Sequence, residues 1–556
     1  MGSDVVDAVI IGSGASGSVL AKDLAEGGLR VVVLERGPQI KPEDFVLHDE
    51  LTSHGSGGLR PRVGNEDRFG PREFRHQGDP EFSVLRADEW GYAGNGAVVG
   101  GGMIFYGALM WRRPPIDFRM KSEYGAVAGS TLEDWPLTYE ELEPHFLKIE
   151  QVVGVSGEAG ANPSEGKRSA PYPLPPIDLN PGDEIIRDTV RRMGYHPFPV
   201  PLGLLTQDYQ GRSKCIGHPC CNGFVCEVGA KSTPISALLP QAVASGNCRI
   251  VPEAVVREVT LDDGGRPNGV TYFQRDGTLA EQKGRILILA AGAIETPRLM
   301  LNSTSRWFPQ GLGNQSGWVG RNLMGHISPW VWGILDSRTN EGFGPAPGVA
   351  IDDFCARNPG FVGGGVIYSR TEVTPIAFAS RRPRGAPRWG LEHKRYQREN
   401  FRRYIRLFAP AEDLPQFENR VEVSPRLKDT WGIPVARITH SFHPNDYLVF
   451  NFFKDKMMEI LKEAGARDIT PSSIGRGGAG YQLGTCRMGS DPRTSVVSAW
   501  GQSHQVDNLF VVDGSVFVTS GGRNPALTIQ ALASRFAAYI LGNWRGGAWR
   551  NGTKEV

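Results

Sequence analysis

Two stretches carry residue types at spacings that suit chemistry. The first is Gly12-Ser13-Gly14-Ala15-Ser16-Gly17, which follows an apolar run and precedes a helix-like one, with Glu35 about 20 positions beyond. Gly12 suits a tight turn, Gly14 lets backbone amides approach a pyrophosphate, and Gly17 lets the helix pack on the sheet. The helix N-terminus favours the anion, and Glu35 is placed to accept hydrogen bonds from ribose hydroxyls. By itself this fingerprint separates neither NAD from FAD nor a dinucleotide site from an ordinary strand–helix loop. The second stretch holds Cys215, Cys220, Cys221 and Cys226. Thiolates at this density can ligate iron, but Cys-x4-Cys-Cys-x4-Cys lacks the Cys-x2-Cys repeats of common cluster motifs, and structural loop thiols are the plainer alternative.

The elements around these residues follow from pattern. Ala8 to Ile11 reads as a buried strand, Ser18 to Glu26 as a helix and Arg30 to Leu34 as a second strand, a βαβ unit that ends on Glu35 and Arg36. Arg285 to Ala291 is a further buried strand, running into Gly292 and a helix near Pro297. Pro38 to Asp88, rich in Gly, Pro, Arg and His, reads as irregular surface chain, and Pro171 to Pro181 as a boundary. A long helix is expected from Pro444 to Gly465, with Leu448, Phe452, Ile460 and Leu461 as its apolar residues.

Composition bounds the function. With 556 residues the chain is long for a single core. Lys and Arg number 61 against 60 Asp and Glu, so no basic field attracts nucleic acid. No apolar run approaches the roughly 18 residues of a membrane span, so direct membrane insertion is not expected. The N-terminus reads as a strand rather than a secretory leader, which gives a cytoplasmic expectation, and seven cysteines do not make a secreted disulfide framework.

Four further segments stand along the chain: Val98 to Met103 with Arg113-Pro114 and Asp117-Phe118; Gly292 to Leu299; Val319 to His326; and Gly484 to Gly489 with Asn508 to Ser515 and Asn524-Pro525. Together with the glycine turn they resemble, in order and over nearly the whole length, the glucose-methanol-choline family of flavoenzymes, its bacterial sugar and pyranose oxidoreductases most of all. The resemblance implies FAD and an α/β fold: a doubly wound, Rossmann-type FAD domain from 1–155, 235–325 and 480–545, with an inserted α+β substrate domain on an antiparallel sheet from 156–234 and 326–479. It implies flavin contacts from Gly100, Gly101, Gly102 and Met103, from Val255 and Val256 beside the adenine, from Ala291, Gly292 and Glu295 near the adenosine, and from Asp513, Gly514, Asn524 and Pro525. Members that bind flavin covalently use a His just after the block that matches Gly100 to Gly102. Here Met103-Ile104-Phe105-Tyr106 has none, so noncovalent FAD is expected.

The resemblance further implies oxidation of an alcohol, a sugar or glycoside first and an aromatic alcohol second, with hydride passing to the flavin while a base takes the hydroxyl proton. The acceptor is left open among oxygen, a quinone and a partner subunit. Asn524 matches one member of the family's catalytic pair. The family's His-x-x-Gly-Thr, however, is Tyr481-Gln482-Leu483-Gly484-Thr485 here. A phenol with its ordinary pKa of about 10 is a poor base at neutral pH. Three readings stand: Tyr481 is the base, His440 or His443 acts instead, or ordinary alcohols are poor substrates. The departure also admits a lyase or isomerase with structural FAD, and the cysteine block admits the flavin subunit of an electron-transfer complex.

Overall fold

A computed structural model describes residues 5–40, 70–85, 96–218, 221–340, 344–345, 347–371, 373–380, 383, 385–474 and 480–549. Most of the expected irregular stretch from Pro38 to Asp88 lies outside these residues; its described part contributes two short strands, Arg72–Arg75 and Ser83–Leu85.

The first sheet has a parallel part in the order Cys248–Val251, Val31–Leu34, Val6–Ile11, Leu279–Leu289 and Leu509–Val511. Its central strands are buried along their whole length, as strands covered on both faces must be. The helix Ala15–Glu26 and the long last helix Ala526–Arg545 pack together beside it. The strand Leu279–Leu289 joins the parallel and antiparallel parts of this sheet. Its first half, Leu-Ala-Glu-Gln-Lys, alternates in exposure and pairs antiparallel with Pro267–Phe273; its second half, Ile-Leu-Ile-Leu, is buried throughout and pairs parallel with Val6–Ile11. The switch from alternating to continuous apolar residues marks where one face stops meeting water.

A second sheet of six antiparallel strands runs in the order Arg467–Pro471, Trp330–Ile334, Tyr404–Phe408, Ile367–Arg370, Pro347–Ile351 and Phe198–Pro199. The helices Pro444–Glu463 and Pro181–Arg192 cover one face, closing a core of Val331, Ile367 and Leu407 with Val449, Phe453 and Ile460. Each such side chain contributes on the order of 1.5–3 kcal/mol on burial. The buried stripe runs through Val449, Phe450, Phe453, Met457, Ile460 and Leu461, whereas Leu448 is 53% exposed. This corrects the expected face by one position: 449, 453, 457 and 460 lie one helical turn apart, and 448 falls beside that stripe. The fold is therefore α/β, with a Rossmann-type sheet beside an antiparallel substrate sheet.

Candidate active site

One cavity of about 1160 Å³ runs from the glycine turn to the antiparallel sheet, where Trp330, Arg370, Arg406 and Phe408 line it. At the first end, Gly12 takes φ +101°, and a Cβ on Gly17 would stand 2.0 Å from the Gly12 carbonyl oxygen, so the helix can sit this close to the strand only with glycine there. Gly14, Ala15 and Ser16 line the cavity with Glu35, Arg36, Val255, Val256, Ala291, Gly292 and Glu295. Where Cβ atoms would stand on Gly14, Gly102 and Gly292 there is open space, so the bare backbone faces the cavity, as a cradle for a dinucleotide requires.

Hydrogen bonds tie the turn to the second glycine block. Glu35 accepts from the Ser13 amide (3.0 Å), the Ser13 hydroxyl (2.7 Å) and the Gly37 amide (3.0 Å), and Ser13 Oγ accepts from the Gly100 amide at 2.9 Å. Glu35 thus braces the turn as well as lining the cavity; Gly101, Gly102 and Met103 line it too, while Gly100 stands behind them. Glu295 is bound by Arg72, by Arg298 at 3.0 Å and by Arg36 at 3.4 Å. Burial opposes its ionisation, but the three guanidinium groups outweigh burial and hold the carboxyl well below the usual range. Asp513 accepts from the Gly292 amide (2.9 Å), the Thr296 hydroxyl (2.6 Å) and the Ser515 amide (2.8 Å), while burial raises its pKa.

Further along, Tyr481, Gln482, Gly514, Asn524 and Pro525 line the cavity together with Ser328 and with Trp330, Arg370, Arg406 and Phe408 of the second sheet. Asn524 precedes the 20-residue helix Ala526–Arg545, whose positive dipole end thereby meets the cavity. Its Oδ1 accepts from Trp111 Nε1 at 3.0 Å, with both residues buried. An indole N–H only donates, so this bond fixes the amide's orientation: the carbonyl is engaged and the NH2 is the group left to bond a ligand. The segment before Asn524 is pinned by Arg113, which donates to Ser520 O at 2.7 Å, and by Trp135, which donates to Thr519 Oγ1 at 2.8 Å.

Tyr481 lies in the strand Gly480–Leu483, paired with Met324–His326, and holds φ +61°, a conformation rare for a bulky side chain and typical of functional positions. Its ring lies 5.2 Å from that of His326. His326 Nε2 bonds Ser520 O at 3.2 Å, and burial pushes its pKa down to about 4, so the ring is neutral at ordinary pH.

The two alternative bases stand elsewhere. Buried His440 pairs with Asp413 at 3.0 Å. His443 caps the helix Pro444–Glu463, its Nδ1 accepting from the Asn445 amide at 3.1 Å and its Nε2 donating to Ala128 O at 2.9 Å. Neither is among the cavity-lining residues. Trp111 carried no signal that sequence reading could use, because its partner is 413 positions away.

In the cysteine block, Cys220 lies outside the described residues, and among those described no group of His, Cys, Asp or Glu is arranged to hold a metal ion. The density of thiols has another setting here. Fully buried Lys231 donates to the carbonyls of Tyr106 (3.1 Å), Cys221 (2.8 Å) and Phe224 (2.7 Å), and burial lowers its pKa. That clamp holds Asn222, Gly223 and Phe224 as a wall of the cavity.

A dinucleotide cradle opening onto a second sheet, with a fixed amide donor at the junction, is the architecture of a dinucleotide-dependent oxidoreductase. Family comparison is specific: residues 6–328 and 415–533 match the N- and C-terminal GMC oxidoreductase models, and the chain belongs to that family. It is 32% identical to a 2-methyl-1,2-propanediol dehydrogenase of Mycolicibacterium austroafricanum (97% of this chain, 95% of the relative) and 30% identical to a paromamine 6'-oxidase of Streptomyces fradiae (97% and 92%). It is 28% identical to a fructose dehydrogenase large subunit of Gluconobacter japonicus (97% and 98%). The fold matches the crystal structure of a pyridoxine 4-oxidase from Mesorbium loti with a TM-score of 0.61 at 19% identity, covering 96% of this chain and 98% of that one. The chain is an FAD-dependent enzyme that oxidises CH–OH groups, and the lyase or isomerase reading is not favoured. No helix among the described residues is long and apolar enough to cross a membrane.

Proposed function

We propose that the enzyme oxidises a hydroxyl of a sugar or glycoside, with Asn524 seating the substrate oxygen and Tyr481 passing on its proton. The observation that carries this reading is the Trp111–Asn524 bond, which leaves a fixed amide donor at the junction of cradle and substrate sheet. FAD, held noncovalently by the residues of the cradle, supplies the acceptor for the carbinol hydride. The Asn524 NH2 donates to the substrate oxygen and stabilises it as negative charge develops. Tyr481, 40% exposed, takes the hydroxyl proton on its oxygen while releasing its own to water. No phenolate persists in this relay, and the proton leaves to water as the hydride departs. Relatives named for 2-methyl-1,2-propanediol, paromamine and fructose support a donor of that kind. Oxygen, a quinone or a partner subunit reoxidises the flavin. The cysteines Cys215, Cys226, Cys248, Cys355 and Cys486 are free thiols, which suits a reducing, cytoplasmic setting.

The test is a screen of sugars, glycosides and alcohols with an artificial electron acceptor beside an oxygen electrode, together with anaerobic flavin bleaching. Turnover without bleaching would overturn the redox reading. Tyr481→Phe is expected to slow bleaching, with His440→Ala and His443→Ala leaving it unchanged; an unchanged rate in Tyr481→Phe would remove Tyr481 from the chemistry.

A further inference from the structure

Trp111 orients the Asn524 side chain, and the antiparallel sheet holds the backbone just before it. Arg523 pairs with the Asp352 carboxylate; both side chains are buried, and neither lines the cavity. Asp352 follows directly on the strand Pro347–Ile351. The same carboxylate oxygen accepts from the Ser164 hydroxyl and from Asn162 Nδ2 at 3.2 Å, and Ser164 Oγ in turn accepts from Arg523 Nη2 at 2.9 Å. Two more contacts reach the same segment. Glu412, shortly past the strand Tyr404–Phe408, accepts from the Ser520 amide at 3.1 Å and from its hydroxyl at 2.9 Å. A Cβ on Gly522 would stand 2.3 Å from Gly365 Cα, so the chain there lies against the approach to the strand Ile367–Arg370. Antiparallel pairing puts the end of the first of these strands, the start of the last and the end of Tyr404–Phe408 at one end of the sheet. Residues 520, 522 and 523 rest on that end, and 524 carries the amide. A buried ion pair is a poor means to stability, since apolar groups of similar volume commonly do as well. It does constrain geometry: breaking it strands a buried charge, and the guanidinium fork fixes direction as well as distance.

Resting on the reading that Asn524 seats the substrate oxygen, we propose that Asp352 is a positioning residue: through Arg523 it fixes the backbone on which Asn524 stands. The sheet that lines the cavity then also sets the place of the amide at its junction with the cradle. Asn524 is held at two points, by Trp111 at its side chain and by Asp352 through the residue before it. A displaced donor loses most where charge develops, so the cost falls on the rate of hydride transfer rather than on binding.

The experiment follows anaerobic flavin reduction of holoenzyme with 2-methyl-1,2-propanediol, paromamine and fructose as donors. Asp352→Asn keeps the volume and removes the charge. It is expected to slow reduction at saturation about tenfold or more, with the apparent Kd changed less than about twofold and flavin content full. Arg523→Lys, which keeps the charge, is expected to lose less than Arg523→Met, and it is read by the same criteria should Asp352→Asn shed its flavin. In an Asn524→Ala background, Asp352→Asn is expected to add less than about twofold, because the group it places is gone. Losses that multiply in the double variant, or a wild-type rate in Asp352→Asn while Asn524→Ala is slow, would overturn the inference and leave Asn524 in its role. If Asn524→Ala reduces at the wild-type rate, or none of the donors reduces the flavin, hydrogen exchange of donor-free holoenzyme decides separately. Asp352→Asn is then expected to speed amide exchange between residues 519 and 524 about tenfold while the turn from Gly12 to Gly17 stays unchanged. That result upholds the positioning of the segment against a failed reading of Asn524, and unchanged exchange refutes it.

Discussion

Replacing Trp111 by Phe isolates the orientation of Asn524. The ring stays packed between Phe198, at 6.1 Å, and Tyr368, at 6.2 Å, so the substitution removes mainly one N–H donor. The lost bond is a buried, neutral 3.0 Å contact, and leaving its acceptor unbonded costs roughly 1–3 kcal/mol. The amide can relieve this by turning over, which presents a carbonyl oxygen instead of NH2 to the substrate oxygen just as that oxygen gains negative charge. The cost therefore falls on the transition state rather than on binding. At about 1.4 kcal/mol per decade, flavin reduction at saturating substrate is expected to slow by roughly 5- to 150-fold, with the substrate's apparent Kd nearly unchanged. Anaerobic stopped-flow reduction measures both quantities, with flavin content as the control for integrity. If Trp111→Phe reduces at the wild-type rate while Asn524→Ala is slow, the indole does not set the amide and the reasoning fails.

Ser13→Ala removes both hydroxyl bonds that join Glu35 to Gly100 and is expected to weaken FAD binding about tenfold; apoprotein titration followed by flavin fluorescence would contradict this if affinity were unchanged. Glu412 is buried and bonded to Ser520, and burial, aided by Asp117 and opposed by Arg113, pushes its carboxyl up from 4.5 to about 7. The folded state then holds a proton that the unfolded chain releases. This contribution is full below about pH 4.5 and is lost as pH rises through about 7, a change of roughly 3 kcal/mol. Glu412→Gln, neutral throughout, should flatten that part of the urea-unfolding stability profile between pH 5 and 8, and an equally steep decline in the variant would clear Glu412 of responsibility.

The parts of the site made by contiguous sequence were legible, because local pattern and local geometry coincide there. The turn from Gly12 to Gly17 announces both the close helix packing and the bare backbone, and Arg285 onward announces a buried parallel strand. The first half of that same strand escaped notice, since Leu279 to Lys283 is polar enough to read as loop until an antiparallel neighbour is known. His443 at the helix cap was foreseeable from Pro444 behind it, whereas His440 is explained only by Asp413, which no spacing connects to it. Register was equally hidden: Arg370 and Arg406 become neighbours through strand pairing alone, and neither strand's pattern states which face meets the cavity.

Tyr481 departs from the family at a position where the backbone itself is constrained. It holds φ +61°, and just beyond it a Cβ on Gly484 would stand 2.0 Å from the Asn322 carbonyl oxygen, so the two blocks interlock with little freedom to re-aim the side chain. The ring next to it, His326, is kept neutral by burial and has its Nε2 on Ser520, so it adds no cation that would make the phenol more acidic. The site concentrates groups that favour negative charge: the Asn524 amide fixed as a donor and the dipole of the helix Ala526–Arg545. On the proposed reading, these lower the cost of the forming alkoxide enough that a half-exposed phenol, exchanging its proton with water, suffices where relatives of the same family place an imidazole.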